Sequence, residues 1–181
     1  GMSPLEKIVF IADFISEDRD FEGVEELRKL AEKGLDIAML AGLRDSIKML
    51  AEDEVPIHPD TFNAYNEATL ERKHKKRQNA KEMSDKICNI LDSKKAIDIN
   101  VKCAKDVSVL ADYFVIASGT STTHVRALAE EVAFQLKEEG IFPKREGDNS
   151  NSWILLDYED VIVHIFTEES RKFYNMEELW D

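Results

Sequence analysis

A chain of 181 residues has room for one domain or two small ones, and an apolar share of 43% supplies real cores, which excludes a disordered polypeptide. The formal charge of −13 is shared between residues 1–78, with 17 acidic and 12 basic side chains, and residues 79–181, with 20 and 12; such a surface repels nucleic acid on average, so an RNA contact must be local or run through a basic protein partner. No stretch reaches the roughly 20 apolar residues of a membrane span, no charged and apolar leader opens the sequence, and Cys88 and Cys103 lack metal-ligand spacing, so a cytoplasmic protein with free thiols and no cofactor is expected.

Residues 3–78 read as helical throughout. Ser3-Pro4-Leu5-Glu6 is a capping box with proline at the first helical position, and Leu5, Ile8, Val9, Ala12 and Ile15 mark one face of the helix it opens. Val24, Leu27, Leu30 and Ala31 predict a short helix ending near Gly34, and Leu35, Ala38, Met39, Leu43, Ile47 and Leu50 a longer one. Pro56 and Pro59 interrupt helix, because proline restricts the residue before it as well as itself. A further helix starts near Asp60, carries Phe62, Tyr65 and Leu70, and enters the basic run Arg72-Lys73-His74-Lys75-Lys76-Arg77. No proline or glycine then separates it from the helical face of Ala80, Met83, Ile87, Ile90 and Leu91.

Beyond residue 79 helix and strand alternate. Strands are predicted over 96–101 and 113–117, followed by Ser118-Gly119-Thr120-Ser121 and a helix marked by Val125, Leu128, Ala129, Val132, Ala133 and Leu136, stopped by Gly140 and Pro143. Strand, crossover helix and strand imply a right-handed βαβ unit. Two strand-forming runs, 153–156 and 161–166, flank Asp157-Tyr158-Glu159-Asp160 as a hairpin. Thr167 then caps a helix with Glu168 and Glu169 at its positive end, and Phe173, Tyr174, Met176, Leu179 and Trp180 are assigned mainly to packing against the sheet. The fold class is α+β: an all-helical segment over 1–78 followed by a small α/β domain with a mixed sheet over 79–181.

Several patterns invite a chemical reading, and most have a plainer one. The 118–123 loop lies between strand and helix, where a phosphate could sit, but it lacks both the dinucleotide fingerprint and the P-loop spacing, so a helix cap is favoured. Asp157 and Glu159 are the carboxylates a metal-dependent transferase would need, yet in a turn they are better explained by solvation. His164, inside an apolar strand, reads as half-buried and hydrogen-bonded, and His124 as a surface residue. Trp153 divides between core and surface, whereas Tyr158 in a tight charged turn is expected to be exposed, as anchors of protein interfaces are. The run 72–77 could touch RNA phosphates, although a solvated helix face is the plainer reading.

Residues 79–181 closely resemble the ribosomal silencing factor, or Iojap-like, family. The resemblance rests on Leu110-Ala111-Asp112-Tyr113-Phe114-Val115-Ile116-Ala117-Ser118-Gly119-Thr120-Ser121, Pro143-Lys144-Arg145-Glu146-Gly147, Trp153-Ile154-Leu155-Leu156-Asp157-Tyr158, Val161-Ile162-Val163-His164-Ile165-Phe166, and Arg171-Lys172-Phe173-Tyr174-Asn175 with Leu179-Trp180. It implies a fold distantly similar to nucleotidyltransferases without their catalytic carboxylates. It also implies a non-enzymatic factor that binds the large ribosomal subunit through ribosomal protein fourteen, blocks subunit joining and represses translation. The partner-binding residues it suggests are Trp153, Asp157, Tyr158, His164 and Tyr174.

Residues 2–70 resemble the C-terminal helices of YqeK-type HD-domain phosphohydrolases, which act on diadenosine tetraphosphate, through Pro4-Leu5-Glu6-Lys7-Ile8-Val9-Phe10-Ile11-Ala12-Asp13, Arg19-Asp20-Phe21 and Ile57-His58-Pro59-Asp60-Thr61. That resemblance makes Asp13 a remnant metal ligand. The sequence holds no His-Asp pair to complete the site, so no bound metal is expected and the alternative, a metal-dependent phosphohydrolase, requires a longer native form or ligands from another chain. Helices lacking their usual neighbours would leave the apolar face of the 5–15 helix uncovered, which predicts a homodimer.

Overall fold

The computed structural model describes residues 2–104, 108, 110–149 and 152–180, with Pro4, Leu179 and Trp180 described by backbone alone. The chain divides into two compact units, Gly1–Lys76 and Arg77–Asp181. Among the described residues no helix is long and apolar enough to cross a membrane.

The first unit is built from helices α1 (Pro4–Ile15), α2 (Val24–Lys33), α3 (Leu35–Glu52) and the first part of α4 (Pro59–Ser93). The capping box forms as the sequence predicts: Glu6 N donates to Ser3 Oγ at 3.3 Å and Ser3 N to Glu6 Oε2 at 2.6 Å. Ile11, Leu27, Ala38, Met39, Ala41 and Leu43 form the buried centre, with Phe10, Phe14, Ile15 and Tyr65 packed around it. At the far end of α1 the Arg28 guanidinium donates to the carbonyls of Ile15, Ser16 and Arg19, occupying acceptors that a helix terminus leaves open. The opposite face of α1 stays uncovered, with Leu5 69%, Ile8 52% and Val9 61% exposed.

The second unit carries a five-stranded sheet of β1 (Ile97–Cys103), β2 (Tyr113–Gly119), β3 (Lys144–Glu146), β4 (Trp153–Asp157) and β5 (Val161–Thr167) in the order β1-β2-β5-β4-β3. β2 and β5 run parallel at the centre, and every other pairing is antiparallel. Helix α5 (Thr122–Lys137) leads from β2 to the edge strand β3, and β5 returns beside β2 only after the β4–β5 hairpin. One sheet face, through Val115, Ala117, Ile154, Leu156, Val163 and Ile165, packs with Ile87 and Leu91 of α4 and Val125, Leu128 and Val132 of α5 in a single core. Burial of such aliphatic side chains contributes about 1.5–3 kcal/mol each.

Two details were outside the sequence pattern. β1 starts at Ile97 and bulges between Ile97 and Asn100, where Asp98 takes a φ of 49°. β3 has only three residues, all charged, and so offers no apolar alternation to read; its pairing with β4 supplies the strand. It ends at Gly147, whose φ is +92° and whose absent Cβ would stand 2.1 Å from the Trp153 carbonyl oxygen.

Gly147→Ala must both strain the backbone and displace β4, and a loss of at least about 1–3 kcal/mol is expected in urea unfolding. Gly140→Ala isolates the strain, since its φ is +78° with nothing within 4 Å. It should cost no more than about 1–2 kcal/mol. Equal effects of the two substitutions would refute the steric account of Gly147.

Candidate functional site

The sheet face away from α5 is aromatic. Register places Trp153 opposite Phe166, Leu155 opposite His164 and Asp157 opposite Ile162, with Phe114, Ile116 and Ser118 of β2 beside Ile162, His164 and Phe166. Trp153 stacks on Phe166 at 5.1 Å between ring centroids and leans on Tyr174 at 4.9 Å and His164 at 5.8 Å. Phe114 continues the row at 6.0 Å from His164. Aromatic pairs in this range add about 0.5–1.5 kcal/mol each beyond area burial.

His164 is the polar member of this row and is 3% exposed. The Trp153 indole Nε1 donates to its Nδ1 at 3.2 Å, so the neutral ring carries its proton on Nε2, which is buried and without a hydrogen-bond partner. Burial pulls its pKa down from 6.5 to about 4, partly opposed by the negative charge of Glu177. The expected hydrogen bond is present, but the ring is fully buried where half-burial was expected. As a direct partner contact His164 is corrected: it lies beneath Trp153 and braces it.

Tyr158 is corrected as well. Expected to be exposed, it is 6% exposed and belongs to the core with Ile154, Leu156 and Val161. The alternation of β4 continues one step past its end, so residues 154, 156 and 158 share the helix-side face while 153, 155 and 157 share the aromatic one. Tyr158 N donates to the Val161 carbonyl at 3.0 Å and closes the turn. Burial pushes the phenol up to about 12, and its hydroxyl has no partner. Period-two reading carried through the turn would have found this position.

Asp157 remains at the face, half-buried, and its Oδ1 accepts from Glu159 N at 2.8 Å, a turn-forming role. Glu159 has a φ of 68°, and among the described residues no group of three His, Cys, Asp or Glu side chains could hold a metal. The 118–123 loop is a cap: Ser121 Oγ accepts from His124 N at 3.2 Å, and His124 Nδ1 accepts from Thr120 N at 3.1 Å. Gly119 is needed for packing, since a Cβ there would lie 2.8 Å from Val125 N.

Helix α6 (Glu168–Tyr174) and the 3-10 turn Met176–Trp180 border the aromatic face. Thr167 caps α6 as expected, accepting from Ser170 N at 3.3 Å. Arg171, quoted in the family resemblance but given no role there, organises this end: Nη1 donates to the Asp98 carbonyl at 2.6 Å and to Ser118 Oγ at 3.1 Å, while Nη2 pairs with Glu177 at 2.5 Å. Tyr174 is half exposed at 49%, but Phe173, expected to pack on the sheet, is 80% exposed and touches Tyr174 edge-on. The side chains of Leu179 and Trp180 lie outside the described residues. Asp13, in the first unit, is bound by Arg19, whose Nη2 lies 3.1 Å from both carboxylate oxygens.

The family described as ribosomal silencing factor during starvation matches residues 77–181. The chain belongs to this family. Its members are ribosomal silencing factors, regulators rather than enzymes. It is 42% identical over 90 residues to the ribosomal silencing factor of Bacillus subtilis, covering 49% of this chain and 76% of that one. It is 31% identical over 100 residues to the mouse protein named mitochondrial assembly of ribosomal large subunit protein 1, covering 53% of this chain and 44% of the other. A crystal structure of a Chromobacterium violaceum protein superposes with a TM-score of 0.54 at 34% identity, covering 55% of this chain and 84% of that one. The HD-like segment has its own relative, the symmetrical bis(5'-nucleosyl)-tetraphosphatase of Bacillus subtilis, 42% identical over 66 residues, or 36% of each chain.

The state of His164 sets a pH dependence. With the folded-state pKa lowered to about 4 from 6.5, the unfolded chain binds a proton below pH 6.5 that the folded chain refuses, so stability falls as pH drops toward 4. Between pH 7 and pH 5 this linkage removes about 2 kcal/mol. His164→Gln, which can still accept from Trp153, should lose that component in thermal unfolding; an unchanged pH profile would contradict it.

Proposed function

We propose that this silencing factor binds the large ribosomal subunit through ribosomal protein fourteen and prevents the small subunit from joining by occupying space at the contact. The observation that carries the reading is the aromatic face: half-buried Trp153, with Tyr174 beside it and Leu155 and Asp157 further along the same face of β4, rests on the buried Phe166 and His164. A rigid aromatic on a packed base, rimmed by polar groups, is the composition of an interface anchor. The net charge of −13 favours a basic partner, since complementary fields speed encounter and fix orientation. Family membership and the name of the mouse relative support a ribosomal target. A cytoplasmic site of action follows from that target.

Trp153→Ala should weaken large-subunit binding by about 1–3 kcal/mol, read by co-sedimentation with separated subunits. Equal sedimentation with both subunits would defeat the functional reading, whereas an unaffected Trp153→Ala with intact large-subunit preference would defeat only the choice of face.

The tetraphosphatase likeness spans 36% of that relative, and in this structure the Asp13 carboxylate is paired with Arg19. The first unit is better suited to self-association. Leu5, Ile8, Val9 and Ala12 form an exposed stripe at helical spacing on α1, and a second copy of the chain would bury it. Light scattering on a sizing column should then give a dimer that Ile8→Glu dissociates; a monomer at micromolar concentration excludes it.

A further inference from the structure

We infer that the basic turn of α4, from Arg72 to Arg77, is a contact for the phosphate backbone of RNA. In a chain of net charge −13, Arg72-Lys73-His74-Lys75-Lys76-Arg77 is the one run of more than two consecutive basic residues. It lies within the helix Pro59–Ser93, and all residues from 70 to 79 are exposed. Successive residues step about 100° around a helix axis, so the five lysines and arginines of this run place positive charge on every side of the turn. Phosphates can therefore be met without a fixed rotation of the helix.

The composition of the turn selects among anionic partners. No apolar or aromatic side chain falls between residues 71 and 79, so there is nothing to insert into the acyl boundary as a membrane-surface helix does. Nor is there an anchor to fill a pocket on an acidic protein. What remains is dense, unspecific positive charge, which suits closely spaced phosphates and gains from counterion release. Lys75 is shared with Asp36 at 3.6 Å, and Glu71 with Lys7 at 3.0 Å, so the nearest carboxylate in the sequence is already paired. Arg72, Lys73 and Arg77 have no ion-pair partner among the described residues. The choice of RNA rests on the ribosomal reading above; the attraction to phosphate does not.

The test uses the full chain, a labelled RNA duplex and fluorescence anisotropy across a salt series. Binding should weaken steeply with salt, and the triple variant R72Q/K73Q/R77Q should bind more weakly to every sequence with a salt slope smaller by about 2–3. Glutamine is a good helix former, so circular dichroism should be unchanged in the variant. Absence of RNA binding at low salt, an unaltered slope in the variant, or binding to phosphatidylserine vesicles in place of RNA would each overturn the proposal. Trp153→Ala should keep full RNA binding while weakening large-subunit binding, so failure of the aromatic face and failure of the basic turn give separate results.

Discussion

The parallel pairing of β2 with β5 is the constraint on which the second unit depends. Both strands are buried on both faces, 114–119 and 161–166 without interruption, and a parallel pair can exist only with cover on each side. Helices α4 and α5 supply one cover. The other is made from the chain's last described elements together with the ring row, so the aromatic surface is at once part of the fold and available to a partner. That double duty explains why Trp153 is half-buried: its inner edge completes the layer and its outer edge meets solvent.

Burying a histidine in this layer costs stability that an apolar residue would not, since one nitrogen goes without a partner. The return is position. Its other nitrogen takes the indole proton and fixes the plane of Trp153, a precision that stacking alone, with its broad range of tilts, does not give. The second unit thus presents Trp153 in one orientation, which reduces the ordering cost of association.

Much of this was legible in the residues. The capping box at Ser3, the helices of the first unit, the β4–β5 hairpin and the Thr167 cap follow from local periodicity and local hydrogen bonding, and the structure has them where they were expected. What escaped was set by distance or by context. Arg171 reaches Ser118 and Asp98, partners 53 and 73 residues away that no local window joins. Tyr158 was judged by its charged neighbours when the strand alternation had already assigned it to the core. The three-residue β3 exists because β4 offers it an edge.

Arg171 gives the carboxyl end of the chain a hold on the opposite margin of the sheet. Its guanidinium takes the carbonyl of Asp98, the left-handed residue at the β1 bulge, and also the hydroxyl of Ser118 and the carboxylate of Glu177. Two strands remote in sequence are thereby fastened to the segment 171–177 by a single cation that is mostly shielded from water, its side chain only 14% exposed. Peeling away the final turn would strand that charge and slacken the outermost strand together with the tail. A short peripheral helix thus serves as a keystone for the border strand of the sheet.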